Sequence, residues 1–272
     1  MSAPFASGER ALFIDRRDRR YLVLLKAGGQ FHTHAGFVEH DAVIGTPEGA
    51  RTVSSSGSPF IVIRPTLNDF ILRMPRGAQV VYPKDIGAII MSADIFPGAT
   101  VLEAGTGSGA LCMGLLRAAG DRGRVISFEM RQDFADRARL NIEAFLGKLP
   151  DTLDMRYGDV TEAIFTERVD RIVLDLPEPW RVIPTALRAL RAGGIFCCYL
   201  PTVLQVSQVT EALRAAGFID VATSETLVRT WHVEERSVRP DHRMVGHTGF
   251  ITVARFLGGD TSAWGAEPPG SP

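Results

Sequence analysis

Short, unbroken apolar runs punctuated by turn residues mark the first quarter of this chain. Ala11–Ile14, Tyr21–Leu25 and Phe60–Ile63 are short β-rich runs, separated by Gly28-Gly29, Thr46-Pro47-Glu48-Gly49 and Ser56-Gly57-Ser58-Pro59. Strands this short, with turn residues between them and no helical period, predict a small β-barrel or sandwich. After a connector from Arg64-Pro65 the pattern changes. Ile86, Ile89 and Ile90 recur at helical spacing behind Asp85, and Tyr82 before Pro83 is held extended at the start of that helix. From Ala99 onward strands and helices alternate: strands at 99–102, Arg124–Glu129, Leu153–Tyr157, Asp170–Leu174 and Ile195–Leu200, helices at Arg131–Leu146 and from Val203 to Ala216. That alternation predicts a mainly parallel sheet covered by helices. Thr226–Val233 and Phe250–Phe256 read as a closing antiparallel pair, and Gly258–Pro272 as a disordered tail.

The chemistry concentrates where this second pattern begins. Val101-Leu102-Glu103-Ala104-Gly105-Thr106-Gly107-Ser108-Gly109 runs from a strand into the apolar helix that starts Ala110-Leu111-Cys112. Such a glycine turn lets a ligand approach bare backbone, and the helix start offers unpaired N–H groups to an anion. A dinucleotide fingerprint reads G-x-G-x-x-G, whereas this turn reads G-x-G-x-G with an acid two residues ahead. It therefore resembles motif I of the Rossmann-like methyltransferases that use S-adenosylmethionine (SAM). Glu129 ends the next strand 20 residues after Gly109, where an acid accepts from ribose hydroxyls. Asp159, after the third strand, is placed to accept from an adenine amine. The fourth strand delivers Asp175-Leu176-Pro177-Glu178-Pro179-Trp180, whose two prolines forbid a helix across them. Asp175 is either a loop carboxylate or a catalytic one, and its place in the ligand crevice favours catalysis. Tyr82, read alone, is a boundary aromatic with its ring packed and its hydroxyl wet.

Composition narrows the class. At 272 residues, with 45% hydrophobic and 22% charged residues, the chain has the make-up of a globular protein with a substantial core. No apolar run approaches a membrane span, and the first residues lack a signal core, so a cytoplasmic location is expected. Cys112, Cys197 and Cys198 have no zinc-ligand spacing and read as buried thiols. His32, His34 and His40 invite a metal reading, but few carboxylates accompany them and backbone-bonded turn histidines are favoured. A net charge of −1 argues mildly against nucleic acid, unless arginines cluster locally, as in Arg16-Arg17-Asp18-Arg19-Arg20.

Taken together, the motifs resemble bacterial and archaeal tRNA (adenine-N1)-methyltransferases that modify position 58 in the T loop, the actinobacterial members above all. The resemblance spans nearly all of residues 8–257. It rests on F-H-T-H-A-G from Phe31, M-P-R-G-A-Q-V-V-Y-P-K-D from Met74, the glycine loop, D-L-P-E-P-W from Asp175 and G-H-T-G-F from Gly246. It implies an α/β fold, with a Rossmann-like class I SAM-dependent catalytic domain (65–257) behind a small β-barrel-like domain (1–64). It also implies a homotetramer, tRNA as substrate and SAM as cofactor, with no metal. Carried over, Glu103, Gly105, Gly107, Ser108, Gly109, Ala110 and Leu111 form the SAM loop, Glu129 holds the ribose and Asp159 the adenine. Asp175, beside the cofactor, and Tyr82 serve the target base. Phe134 stands where some relatives carry a polar residue. Two rivals remain: a SAM enzyme acting on a corrinoid precursor or on damaged aspartyl residues, and a non-catalytic RNA-binding subunit. The first should lack Y-P-K-D and D-L-P-E-P-W; the second should have lost the glycine turn or Asp175.

Overall fold

A computed structural model describes residues 3–77 and 79–259. Contacts divide the chain into two compact units, residues 1–75 with 139–149, and residues 76–138 with those from 150 onward.

The first unit is built on strands β1 (Arg10–Asp15), β2 (Arg20–Leu24), β3 (Gln30–Thr33), β4 (Gly36–Glu39), β5 (Ala50–Val53) and β6 (Pro59–Ile63). Four of them form an antiparallel sheet in the order β2-β1-β6-β5, while β3 and β4 pair as a separate ribbon. Alternation along β1 sends Ala11 and Phe13 to one face, into a core with Phe5, Val23, Val38, Val43, Phe60 and Val62. Phe31 of the ribbon closes on Phe13 at 5.0 Å between ring centroids, so the ribbon packs over that face. Leu12 is equally buried on the opposite face. Arg10, which shares that face, lies over Phe70 of helix α1 (Leu67–Arg73), and Phe70 in turn packs on Phe145. A strand buried on both sides needs this second cover, which is why the unit extends beyond the boundary expected at residue 64. Thr66 and Asp69 close a capping box that starts α1.

The second unit carries helices α2 (Pro83–Ser92) and α3 (Ala110–Ala119) and strands β7 (Thr100–Ala104) and β8 (Arg124–Glu129). Helix α4 (Gln132–Leu146) follows, its residues from 139 clustering with the first unit. Then come β9 (Leu153–Tyr157), β10 (Val169–Leu174), α5 (Ile183–Ala189), β11 (Leu190–Leu200), α6 (Val203–Ala215), β12 (Ile219–Glu225), β13 (Trp231–Glu234), β14 (Ser237–Pro240) and β15 (Phe250–Arg255). Seven strands form one sheet in the order β12-β15-β11-β10-β7-β8-β9, with β15 antiparallel to both its neighbours and the β11-to-β9 run parallel. One face buries Leu102, Ile126, Ile172, Phe196 and Cys198 against α5 and α6. On the other face α2 packs against α3, where Gly114 leaves room for Ile86. All three cysteines are buried and unpaired.

The end of the chain differs from the expectation. Residues 226–230 form no strand, and Trp231–Glu234 pairs with β14 instead of Phe250–Phe256. β15 inserts between β11 and β12, a strand the sequence reading missed because its outward positions are polar. β11 also begins earlier than expected, at Leu190, and runs through Gly193-Gly194 with a register shift. Of the expected tail, residues 260–272 lie outside the described residues.

Candidate active site

Strand order reverses between β7 and β10, and the loops that leave their carboxyl ends open a crevice there. Gly105, Gly107 and Gly109 all have positive φ, at 89°, 54° and 85°. Only glycine takes such angles without strain. Gly105 has a second reason. A Cβ there would collide with the carbonyl oxygen of Asp175, so the two loops touch backbone to backbone. Asp175 N–H in turn donates to Ala104 O at 2.9 Å. The turn is tied to β8 by Gly105 N–H on Phe128 O (3.0 Å) and by the Thr106 hydroxyl, 2.5 Å from that of Ser127. Ser108 accepts from Gly77 N–H at 3.3 Å. Gly109 then starts α3 with no side chain as cap, so Ala110 and Leu111, both buried, open the helix.

A cleft of about 330 Å³ lies beside this turn. Gly105, Glu129, Met130, Asp159, Val160, Leu176 and Pro177 line it, with Arg131 and Arg181 at its edge. Glu129 already accepts from Gly107 N–H (2.9 Å, Oε2) and Arg131 N–H (3.0 Å, Oε1), which fixes its carboxylate while leaving lone pairs on both oxygens. Asp159 caps a short 3-10 turn by accepting from Thr161 N–H at 2.8 Å, and that bond holds its carboxyl below the usual range.

Glu103 is fully buried beneath the turn, in register between Ser127 and Val173. Neither of its oxygens meets a donor at hydrogen-bonding geometry. Burial pushes its carboxyl up to about 7; the nearby Ser127 hydroxyl and Cys112 thiol pull the other way, and the Asp175 and Glu129 charges add to the rise. Asp175 is half-buried as a residue, yet burial of its carboxyl, and next the Glu129 charge, raise it to about 7 as well. Three carboxyls in mutual electrostatic reach, two of them reluctant to ionise, make a site prepared for positive charge.

Tyr82 caps α2 from extended backbone (φ −73°, ψ 152°) and is half-buried. It does not line the cleft, and neither do Glu103, Gly107, Ser108, Gly109, Ala110, Leu111 and Asp175. Met130, Arg131, Val160, Leu176, Pro177 and Arg181 were missed by the sequence reading. Their signal was available, since each lies within a few residues of Glu129, Asp159 or Asp175 in a strand-end loop. Phe134 carries the Arg131 guanidinium 3.7 Å from its ring centroid and leaves no space for a Cβ on Gly77. D-L-P-E-P-W stays non-helical to Glu178, and a 3-10 turn starts at Pro179. Of the histidines, His40 accepts from Lys26 N–H through Nδ1, whereas His34 pairs with the Arg19 guanidinium and His32 packs on Phe37. Among the described residues no side-chain group has the makings of a metal site.

The sheet order, the glycine turn at its switch point and the acids at successive strand ends define a class I SAM-dependent methyltransferase. Solved structures agree: a Thermotoga maritima protein described as a SAM-dependent O-methyltransferase superposes with a TM-score of 0.89 at 32% identity, covering 94% of this chain and 95% of that one. A tRNA (m1A58) methyltransferase, TrmI from Aquifex aeolicus, gives 0.82 at 30% identity over 93% and 98%. The chain belongs to the family of the tRNA methyltransferase complex GCD14 subunit, whose model matches residues 60–242, and a TrmI-like N-terminal model matches residues 4–51. It is 40% identical over 269 residues to the Methanocaldococcus jannaschii tRNA (adenine(57)-N(1)/adenine(58)-N(1))-methyltransferase TrmI, covering 90% of this chain and 94% of that one. It is 38% identical to the tRNA (adenine(58)-N(1))-methyltransferase TrmI of Thermus thermophilus, over 90% and 95%.

Proposed function

We propose that this chain methylates N1 of the adenine at position 58 of tRNA, drawing the methyl group from SAM. The observation that carries the reading is the Asp175 carboxyl. It sits at the strand switch point, locked by its own backbone against Gly105, and titrates near neutrality.

The residues present fit SAM. Glu103 keeps two buried oxygens without donors beneath the glycine turn, and Gly105, Glu129 and Asp159 line one cleft on which the two acids present acceptors. Bound there, SAM supplies an electrophilic methyl group. Glu129 would hold the ribose hydroxyls and Asp159 the adenine amine; Gly107, Ser108, Gly109, Ala110 and Leu111 would wrap the remainder.

N1 of adenine carries an in-plane lone pair, so nothing need deprotonate it before attack. As N1 is alkylated, positive charge spreads into the ring and acidifies the exocyclic amine. The Asp175 carboxylate is placed to accept from that amine, stabilising the charge and fixing the ring for in-line attack. A T-loop adenine must first be turned out of its tertiary structure, and Tyr82 serves the extruded base.

Exposed Arg16 and Arg17, in the β1–β2 turn, supply contacts for RNA phosphates. The exposed Trp231, Val233 and Val238 of the β13–β14 ribbon fit a surface buried between copies of the chain, consistent with the expected homotetramer. No helix among the described residues is long and apolar enough to cross a membrane, and tRNA as substrate fits work in the cytoplasm.

The test is to incubate the protein with labelled SAM and unmodified tRNA, then map the methyl group. Label at N1 of adenine 58 is expected. Transfer to a hydroxyl, to another nucleotide alone, or not to tRNA at all would overturn the reading.

A further inference from the structure

Two motifs take no part in the cleft described above: Y-P-K-D at the start of α2 and G-H-T-G-F before β15. The fold brings them together across more than 160 residues. Asp85 is fully buried and accepts from three donors. Lys84 Nζ reaches Oδ1 at 2.7 Å, while the Thr248 hydroxyl (2.8 Å) and the Tyr199 hydroxyl (3.2 Å) share Oδ2. Lys84 is saturated too, donating also to Thr226 O (2.7 Å) and Thr248 Oγ1 (2.6 Å). The neighbours of Thr248 serve the same cluster. His247 bridges Glu225 (2.6 Å) and Pro201 O (2.9 Å), pinning the loop between the ends of β11 and β12. Gly249 lies so close to the Tyr199 ring that any Cβ would collide with it.

The placement of this cluster is informative. The backbone N–H of Asp85 donates to Tyr82 O at 2.9 Å, so a clamp on Lys84 and Asp85 also fixes the turn that carries Tyr82. On its other side is Tyr199. Leu174 of β10 pairs with Cys198 of β11, so Asp175 and Tyr199 emerge side by side from neighbouring strands. The cluster thus joins the two elements assigned to the target base, Tyr82 and Asp175, and among the described residues none of these hydrogen bonds reaches a residue lining the cofactor cleft.

We propose that Lys84, Asp85 and Thr248 are positioning residues for methyl transfer, a hydrogen-bonded clamp that sets Tyr82 relative to Asp175 through α2 and Tyr199. This rests on the assignment of those two residues to the target adenine. A buried ion pair is in general a poor source of stability, because desolvation offsets its attraction, so the role proposed for this one is to specify geometry. In-line transfer is steeply sensitive to misplacement of about 1 Å.

Thr248→Val is the probing variant. It removes one donor to Asp85 and one acceptor for Lys84 while leaving the ion pair and the Tyr199 bond intact, so the fold is kept. With unmodified tRNA and labelled SAM, kcat is expected to fall by roughly 10- to 100-fold. The SAM Kd, measured by equilibrium titration, and the tRNA KM should stay within about twofold. Thr248→Ser, which restores the hydroxyl, should recover most of the rate. Combined with Tyr82→Ala, Thr248→Val should cost little beyond Tyr82→Ala alone, because the two act through one element. An unchanged kcat, a loss of SAM affinity matching the loss of rate, failure of Thr248→Ser to rescue, or full additivity with Tyr82→Ala would each overturn the proposal. If the wild-type protein itself leaves tRNA unmethylated, the functional reading fails, and the clamp with it. If only the variants behave normally, the clamp alone is refuted.

Discussion

The β8–β9 side of the crevice and its β11–β15 side are held by different chemistry. On the first side the work is done by backbone. Glu129 is oriented by the N–H groups of Gly107 and Arg131, Asp159 by that of Thr161, and the turn itself by glycine angles and a bond to Phe128 O. On the second side the work is done by side chains: Lys84, Asp85, Tyr199 and Thr248 satisfy one another, and His247 spans two strand ends. Backbone can present the same acceptors and donors whatever side chains surround it, which suits a cofactor of constant shape. A side-chain clamp specifies one arrangement, which suits a base that arrives on a large and variable RNA. The two sides meet at Gly105 and Asp175.

The largest effect is expected at that meeting point. Gly105→Ala puts a methyl group into the Asp175 carbonyl at a φ of 89°, so either the turn or the D-L-P-E-P-W loop must shift. SAM affinity should fall by more than about 100-fold, with a lower Tm. Retention of SAM binding within a few-fold would show that the turn is not braced against Asp175, and the two sides would then be independent.

Asp175→Asn separates them. It keeps shape and removes charge on the base side, so kcat should fall by roughly 10²- to 10³-fold while SAM affinity changes little. The wild-type rate should also rise with pH through about 7 and then level off, as the raised Asp175 carboxyl ionises. The variant should lack that limb. A variant as fast as wild type, or one with the same pH profile, would remove Asp175 from the chemistry.

A smaller effect is expected beneath the turn. The Glu103 carboxyl titrates near 7 when folded and near 4.5 otherwise, so the folded state binds its proton more tightly. Stability without SAM should therefore decline as pH rises from about 4.5 to about 7, by a few kcal/mol at most, and change little beyond. Glu103→Gln should flatten that slope in a plot of Tm against pH and weaken SAM binding. An unaltered slope would mean that Glu103 is not the group held uncharged beneath the cofactor turn.

How far the sequence could be read differs between the two sides for the same reason. Gly105, Gly107 and Gly109 between a strand and a helix dictate their own backbone angles. Glu129 closes its strand and Asp159 and Asp175 follow theirs by one or two residues, so their arrival at one sheet edge follows from the alternation of strand and helix. Pro83 and the extended Tyr82 likewise announce the start of α2. These are local properties, set by sterics within a few residues, and the residues expected on the backbone-built side of the crevice follow from them.

Only the tertiary structure decided the rest. Nothing near Thr248 says that it will meet Asp85, because that contact depends on β15 entering the sheet between β11 and β12. The polar outward face of β12 hid that strand, and the expected pairing of residues 226–233 with β15 failed on it. The unusual ionisation of Glu103 and Asp175 was equally invisible, since it arises from burial, from the Glu129 charge on both and from the Asp175 charge on Glu103, across three strands. The same limit explains the first unit. A short β-rich run between turn residues shows that β1 is a strand, but the burial of Leu12 on its second face calls for a helix, and the aromatic that meets α1 comes from residue 145. Chain-local sterics shape each element; desolvation and pairing between distant elements decide which side chains become chemistry.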